Sequence, residues 1–262
     1  MRWLGKLIIA LFYIGLLGGV LAAGGAYFTY KHYTRDLPDY SQLKKYEPPI
    51  VTRIYAGDGR LLAEYAQEKR VFVPVESMPD LVKNAFIAAE DQNFYTHPGV
   101  DVIAIARAAA NNFLHKGSRL VGASTITQQV AKNFLLTNER SIERKIREAI
   151  LATRMEKAMT KNQILELYMN EIYLGQRSYG VAAAAQTYFN KKLDDLNIAE
   201  VAYLAALPKA PNNYHPVRKH NAALTRRNWV INRMREDGYI NASQAELATA
   251  ILDPNKTIAQ GF

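Results

Sequence analysis

The chain has 262 residues, a formal charge of +9, 49% apolar residues and no cysteine. Such a chain can bury a core, so disorder is excluded, as are disulfide frameworks and thiol-ligated metals. The positive balance points to an anionic partner, for which nucleic acid, acidic lipid and phosphate-bearing substrates compete.

Residues 1–6 form a short basic tail. Residues 7–30, LIIALFYIGLLGGVLAAGGAYFTY, are uncharged, and at ~1.5 Å per residue they exceed a ~30 Å bilayer core, which predicts one transmembrane helix. Ala22, Ala23 and Gly24 resemble a signal-peptide cleavage site. The apolar run is nevertheless longer than the ~7–15 residues of a signal core and continues past them, so a retained anchor is expected. The short tail favours a cytoplasmic N-terminus and an exported body, and the anchor argues against nucleic acid as partner. Residues 31–75 read as a juxtamembrane connector and β-hairpin. The stretch 36–50 is rich in proline and charge, β-formers flank Gly57-Asp58-Gly59, and 70–75 (RVFVPV) predicts a third strand. Residues 76–250 are helical by pattern, and 251–262 read as the start of a further linker.

Within the helical body, Leu81, Val82, Ala85, Phe86 and Ala89 recur at helical spacing after Pro79, so Glu90 and Asp91 fall in the last turns of that helix. A carboxylate there faces the negative end of the helix dipole. With partial burial its proton affinity rises, which suits a general base, although an isolated acidic pair more often only solvates a helix end. His97, before Pro98 and Gly99, suits a bond to loop backbone better than a metal, because no second histidine stands at metal spacing.

Next, Ser124 is a predicted N-cap. Thr125, Gln128, Gln129 and Lys132 then share one face of the following helix, with Ile126, Val130 and Phe134 on another. Amides, a hydroxyl and one ammonium suit a sugar beside a phosphate. In 140–159, Ile142, Ile146, Ala149, Ile150 and Thr153 predict the core face. Glu148 then points off it, with Arg144 and Lys145 one turn before, a pattern that reads as a surface ion pair. Thr160 and Gln163 form a capping box, with Gly175 as a stop and Glu166, Asn170 and Tyr173 on one side.

Taken in order, EDQNFYTHPG, GASTITQQVAKN, RKIRE, ILELYMNEIYLG and RRNWVINRM resemble the five motifs of the peptidoglycan glycosyltransferase (transglycosylase) domain. That domain occurs in class A penicillin-binding proteins and in monofunctional transglycosylases. The resemblance covers about residues 50 to 240. It implies a mainly α, lysozyme-like fold with a small N-terminal β-hairpin and one transmembrane helix, in the bacterial cytoplasmic (inner) membrane with its catalytic domain on the periplasmic side. The implied reaction polymerises lipid II into β-1,4 glycan with inversion and release of undecaprenyl pyrophosphate.

Carried over by motif, Glu90 is the base on the acceptor hydroxyl and Glu148 the second essential carboxylate. Lys132, Arg140, Arg144 and Lys145 hold pyrophosphate oxygens, and Asp91, Ser124, Thr127, Gln128 and Gln129 line the substrate sites. Thr127 fits least well, since it lies off the Thr125 face. No cofactor is obligatory, and a divalent cation (Mg or Mn) at the pyrophosphate is the one option. The implied partners are lipid II, the growing glycan strand, the membrane and other cell-wall synthesis proteins. With no penicillin-reactive signature after residue 250, a fragment of a bifunctional enzyme is expected. Two rivals are a lytic glycosidase, which would need no cations for a pyrophosphate, and a non-enzymatic membrane scaffold, which would need no Glu90.

Overall fold

Helix starts in this chain are written in short polar residues that accept backbone N–H groups. Thr125, Ser141, Thr160, Asn197 and Asn241 each take the N–H three residues on, and four of the five close the reciprocal box with Gln128, Gln163, Glu200 and Gln244. These caps satisfy donors that a helix cannot satisfy itself. The N-cap of the fourth helix is therefore Thr125, one residue after the expected Ser124.

The computed structural model describes residues 2–35, 37–40, 42–43, 52–65, 68–114, 122–136 and 141–251. Helix α1 (Arg2–Tyr33) is long and apolar enough to cross a membrane over Leu11–Tyr33. Strands β1 (Thr52–Tyr55) and β2 (Leu61–Tyr65) pair antiparallel around Gly57-Asp58-Gly59, as the sequence predicts. The third strand differs. β3 is only Lys69–Arg70, and it pairs in parallel with β4 (Ser178–Tyr179) rather than extending the hairpin. The backbone of Val73 instead bonds the Asn170 side chain, and the Val75 N–H donates to Glu166, so these two polar residues clamp the connector to the helical body.

That body comprises α2 (Asp80–Glu90), α3 (Val102–Leu114), α4 (Ile126–Leu135), α5 (Ile142–Ala158), α6 (Lys161–Glu171), α7 (Val181–Phe189), α8 (Ile198–Ala206), α9 (His220–Glu236) and α10 (Ala242–Ala250). Helix α8, IAEVAYLAA, is apolar nearly all round and is buried along almost its whole length, as expected of a central helix. It packs on α9 and α2, while α4 packs on α5 and α6. Helix α6 ends at Glu171, before Gly175, whose left-handed backbone (φ 88°) opens the turn into β4.

One prediction of register fails. The buried stripe of α5 is Glu148, Leu151, Ala152 and Met155, whereas Ile142 is 82% exposed. The apolar pattern admits two faces, and contact with α4 and α6 selects the one headed by Glu148. The carboxylate expected on the surface is thereby buried.

Gly99 sets the closest approach of the loop after α2. At φ 99° it lies where L side chains are strained, and a Cβ there would stand 2.7 Å from the Ala152 carbonyl oxygen. Gly99→Ala is expected to lower stability by roughly 1–3 kcal/mol, measurable as a reduced midpoint in thermal or denaturant unfolding. An unchanged midpoint would show that the loop relaxes away from α5.

Candidate active site

The two adjacent carboxylates at the end of α2 do different work. Asp91 is buried, and its Oδ2 accepts the N–H of Ile126, the first residue of α4. The same carboxylate lies 2.9 Å from Nε2 of His97, whose Nδ1 accepts the Gly99 N–H. Nδ1 being an acceptor, the ring proton sits on Nε2 and donates to Asp91. The Thr125 hydroxyl in turn donates to the Gly99 carbonyl. Asp91, read from the sequence as substrate-binding, is thus a bracket joining the end of α2 to the start of α4, with His97 bonding loop backbone as expected.

That bracket places Glu90 one turn along from the start of α4, where Gln129 Nε2 donates to Glu90 Oε2 at 2.9 Å. The Glu90 side chain is 13% exposed, and its other oxygen faces an Arg226 nitrogen at 4.0 Å. Burial pushes the Glu90 carboxyl above the usual carboxylate range, opposed by the Gln129 hydrogen bond and the charges of Arg226 and Lys209, and assisted by Asp91. Burial is thus the main cause. Close to it the Tyr168 hydroxyl is buried without a hydrogen-bond partner among the described residues, its proton affinity raised by burial and then by Glu90 and Asp91.

Glu90 opens onto a cleft of about 250 Å³ between α2, α3, the start of α4 and α9, also lined by Arg107, Ser124, Trp229 and Arg233. Ser124 links this cleft to the second carboxylate. Its hydroxyl accepts from Lys145 Nζ at 2.8 Å, and the same ammonium donates to Glu148 at 2.5 Å. Arg144 approaches the other Glu148 oxygen at 3.3 Å. The Glu148 side chain is 2% exposed, whereas Lys145 is 48% exposed. A buried carboxylate therefore holds a half-exposed ammonium at the cleft, ready for an anion.

Other predicted site residues lie elsewhere or serve the fold. Gln128 is buried in the capping box of α4, and the Thr127 hydroxyl donates to Glu156 at 2.6 Å, which Lys161 also binds. Neither lines the cleft: the Gln128 amide turns back on the Thr125 N–H, and Thr127 reaches Glu156 on α5. Lys132 is partly exposed, and its side chain makes no hydrogen bond or ion pair among the described residues. Arg140 lies outside the described residues. The residues missed from sequence are Arg226, Trp229 and Arg233. They recur at i, i+3 and i+7 along RRNWVINRM, a one-face spacing that would have placed them together.

A helical body with a partly buried carboxylate in an open cleft, beside a second carboxylate held by two cations, has the arrangement of a catalytic domain for an anionic substrate. The chain belongs to the transglycosylase family, whose family model, described as Transglycosylase, matches residues 58–235. Penicillin-binding protein 1A of Rickettsia felis is 59% identical over 226 residues, 85% of this chain and 28% of that protein. Penicillin-binding protein 1A of Escherichia coli is 47% identical over 225 residues, 86% of this chain and 26% of the relative. A crystal structure of penicillin-binding protein 1A from Haemophilus influenzae is 30% identical and aligns with a TM-score of 0.47, covering 79% of this chain and 21% of that one. The chain thus spans little more than a quarter of the length of the curated relatives it matches. The resemblance read from the five motifs is borne out, as is a mainly helical fold, and the domain is of the peptidoglycan glycosyltransferase type.

Proposed function

We propose that this chain polymerises lipid II into β-1,4 glycan with release of undecaprenyl pyrophosphate, by a single inverting displacement. The observation that carries the reading is Glu90, partly buried at the mouth of the cleft and bonded by Gln129. In the step assigned here, the acceptor sugar hydroxyl forms its bond to the anomeric carbon as the bond to pyrophosphate oxygen breaks. The hydroxyl proton passes to Glu90, and the electron pair leaves with the pyrophosphate. A base whose proton affinity lies above the ordinary carboxylate value transfers protons more effectively near neutral pH.

The leaving group is a strong anion and needs charge stabilisation more than a proton. Lys145 and Arg144, fixed by Glu148, are assigned that role, joined by Lys132. Among the described residues no group of three or more His, Asp or Glu side chains is placed to hold a metal, and the two cations on Glu148 oppose another positive charge there. A divalent cation at the pyrophosphate would take most of its ligands from substrate oxygens and water; from the chain itself, Lys145 and Arg144 supply positive charge. In this reading α1 anchors the domain at the outer face of the inner membrane, where a lipid-linked substrate is presented to the cleft.

The test is polymerisation of fluorescent lipid II by the purified full chain, resolved by strand length. Long strands are expected from the native chain. Lys145→Ala should slow them by ~10-fold or more, through loss of a charge-assisted contact of about 1.5–3 kcal/mol. Failure of the native chain to use lipid II overturns the substrate assignment, and unchanged kinetics in the variant overturns the role of Lys145.

A further inference from the structure

Arg226 is an arginine whose surroundings do not explain it as a surface charge. Its side chain is only 11% exposed, and its Nε is buried without a hydrogen-bond partner among the described residues. The guanidinium lies 3.8 Å from the centroid of the Trp229 ring, one turn further along α9, with Arg233 at 5.9 Å from the same ring. Burial without full hydrogen bonding disfavours the cation, so stacking on an indole face and a nearby carboxylate must hold it there. The next residue anchors α9 independently: Arg227, buried, donates to the carbonyls of Thr249 and Ile251 at the end of α10. That anchor holds α9 against α10, so the backbone from which Arg226 and Trp229 project is fixed beside Glu90.

Resting on the reading of Glu90 as the base, we infer that Arg226, clamped on Trp229, is a positioning residue that holds Glu90 ionisable without occupying its reactive oxygen. The distance makes the distinction. Gln129 binds Oε2, whereas Arg226 stands 4.0 Å from Oε1, beyond hydrogen-bond reach. A bidentate pair at ordinary hydrogen-bond length would consume the lone pairs a base needs and hold the carboxylate too weakly basic. At this separation in a partly buried site the charge still acts, and Oε1 stays able to accept a proton. The other groups facing Glu90 are Gln129 from α4, Lys209 after α8, Tyr168 from α6 and the neighbouring Asp91. Arg226 is the cation among them locked in place by an aromatic platform on the cleft wall.

Removing the cation raises the proton affinity of Glu90 further, so the base becomes ionised only at higher pH. Arg226→Gln is expected to move the acid limb of the kcat/KM profile for lipid II polymerisation upward by roughly one pH unit or more. It should lower kcat near neutrality and leave KM largely unchanged, with Arg226→Lys recovering most of the shift. Trp229→Leu keeps the charge but removes its platform, and should move the limb the same way by less. The independent readout is a carboxyl ¹³C titration of Glu90 in the full chain in detergent, where the midpoint should rise in Arg226→Gln. An unmoved limb and midpoint in folded variants would overturn the inference while the substrate reading stands. If the native chain makes no glycan, the substrate reading falls and the carboxyl titration alone decides whether Arg226 governs Glu90.

Discussion

Glu90→Gln is expected to cut glycan polymerisation by ~10²–10⁴-fold, the usual contribution of a positioned base, and at the same time to raise thermal stability at neutral pH. The first effect follows because an amide cannot take the acceptor proton, although its carbonyl oxygen still accepts from Gln129 and the shape of the cleft is kept. The second follows from linkage. The folded proton affinity of Glu90 is raised by burial, so the folded state binds its proton more tightly than the unfolded chain does. Below the unfolded-state value, about 4.3, burial of this group carries no ionic penalty. As pH rises from there through the raised folded value, stability is progressively lost, and above it the full penalty applies. The neutral amide removes that penalty, so the gain in unfolding midpoint should be present at neutral pH and vanish below about pH 4. Unfolding followed by circular dichroism across pH, beside the lipid II assay, measures both. A variant that is inactive and also less stable at neutral pH would mean that the carboxylate holds the cleft together rather than acting as its base.

This pairing of lost activity with gained stability explains why the end of α2 was only half legible in sequence. The spacing Leu81, Val82, Ala85, Phe86, Ala89 located the helix end, and the motif resemblance assigned Glu90 as the base. Periodicity and composition alone do not distinguish Glu90 from Asp91, because their different surroundings arise when α4 arrives and offers the Ile126 N–H to Asp91 and the Gln129 amide to Glu90. The same limit applies on α4. Thr125, Gln128 and Gln129 look alike as polar helix residues, yet the first two close a capping box and only the third reaches the carboxylate. Local signals such as caps, the Gly57-Asp58-Gly59 turn and the apolar run of α1 were readable because neighbouring residues decide them. β3 was misplaced because its partner, β4, lies more than a hundred residues away.

Glu148→Gln is expected to cut polymerisation by roughly 10²–10³-fold, leaving a residual rate that can still be measured, and also to destabilise the fold by roughly 1–3 kcal/mol. Had Glu148 stood on the solvent face that the apolar pattern of α5 predicts, the substitution would have left stability almost untouched, since exposed pairs contribute little. It stands instead at the head of the buried stripe, 2% exposed, with Lys145 on one oxygen and Arg144 beside the other. Replacing it leaves two cations facing a neutral amide at a site where, among the described residues, Glu148 Oε1 and Arg144 Nε lack hydrogen bonds. Lys145 is half-exposed and can turn to water, which keeps the loss below that of a fully buried pair broken on one side. Freed of Glu148, its ammonium no longer has a fixed position beside Ser124, and the anion it is assigned to stabilise meets a mobile charge. A double-mutant cycle with Lys145→Ala separates the parts. If the ammonium acts through Glu148, the two substitutions combine to less than the sum of their separate effects on rate, with a coupling of about 0.5–3 kcal/mol. Strictly additive effects on rate would show that Glu148 has a catalytic part of its own, independent of the cation it holds.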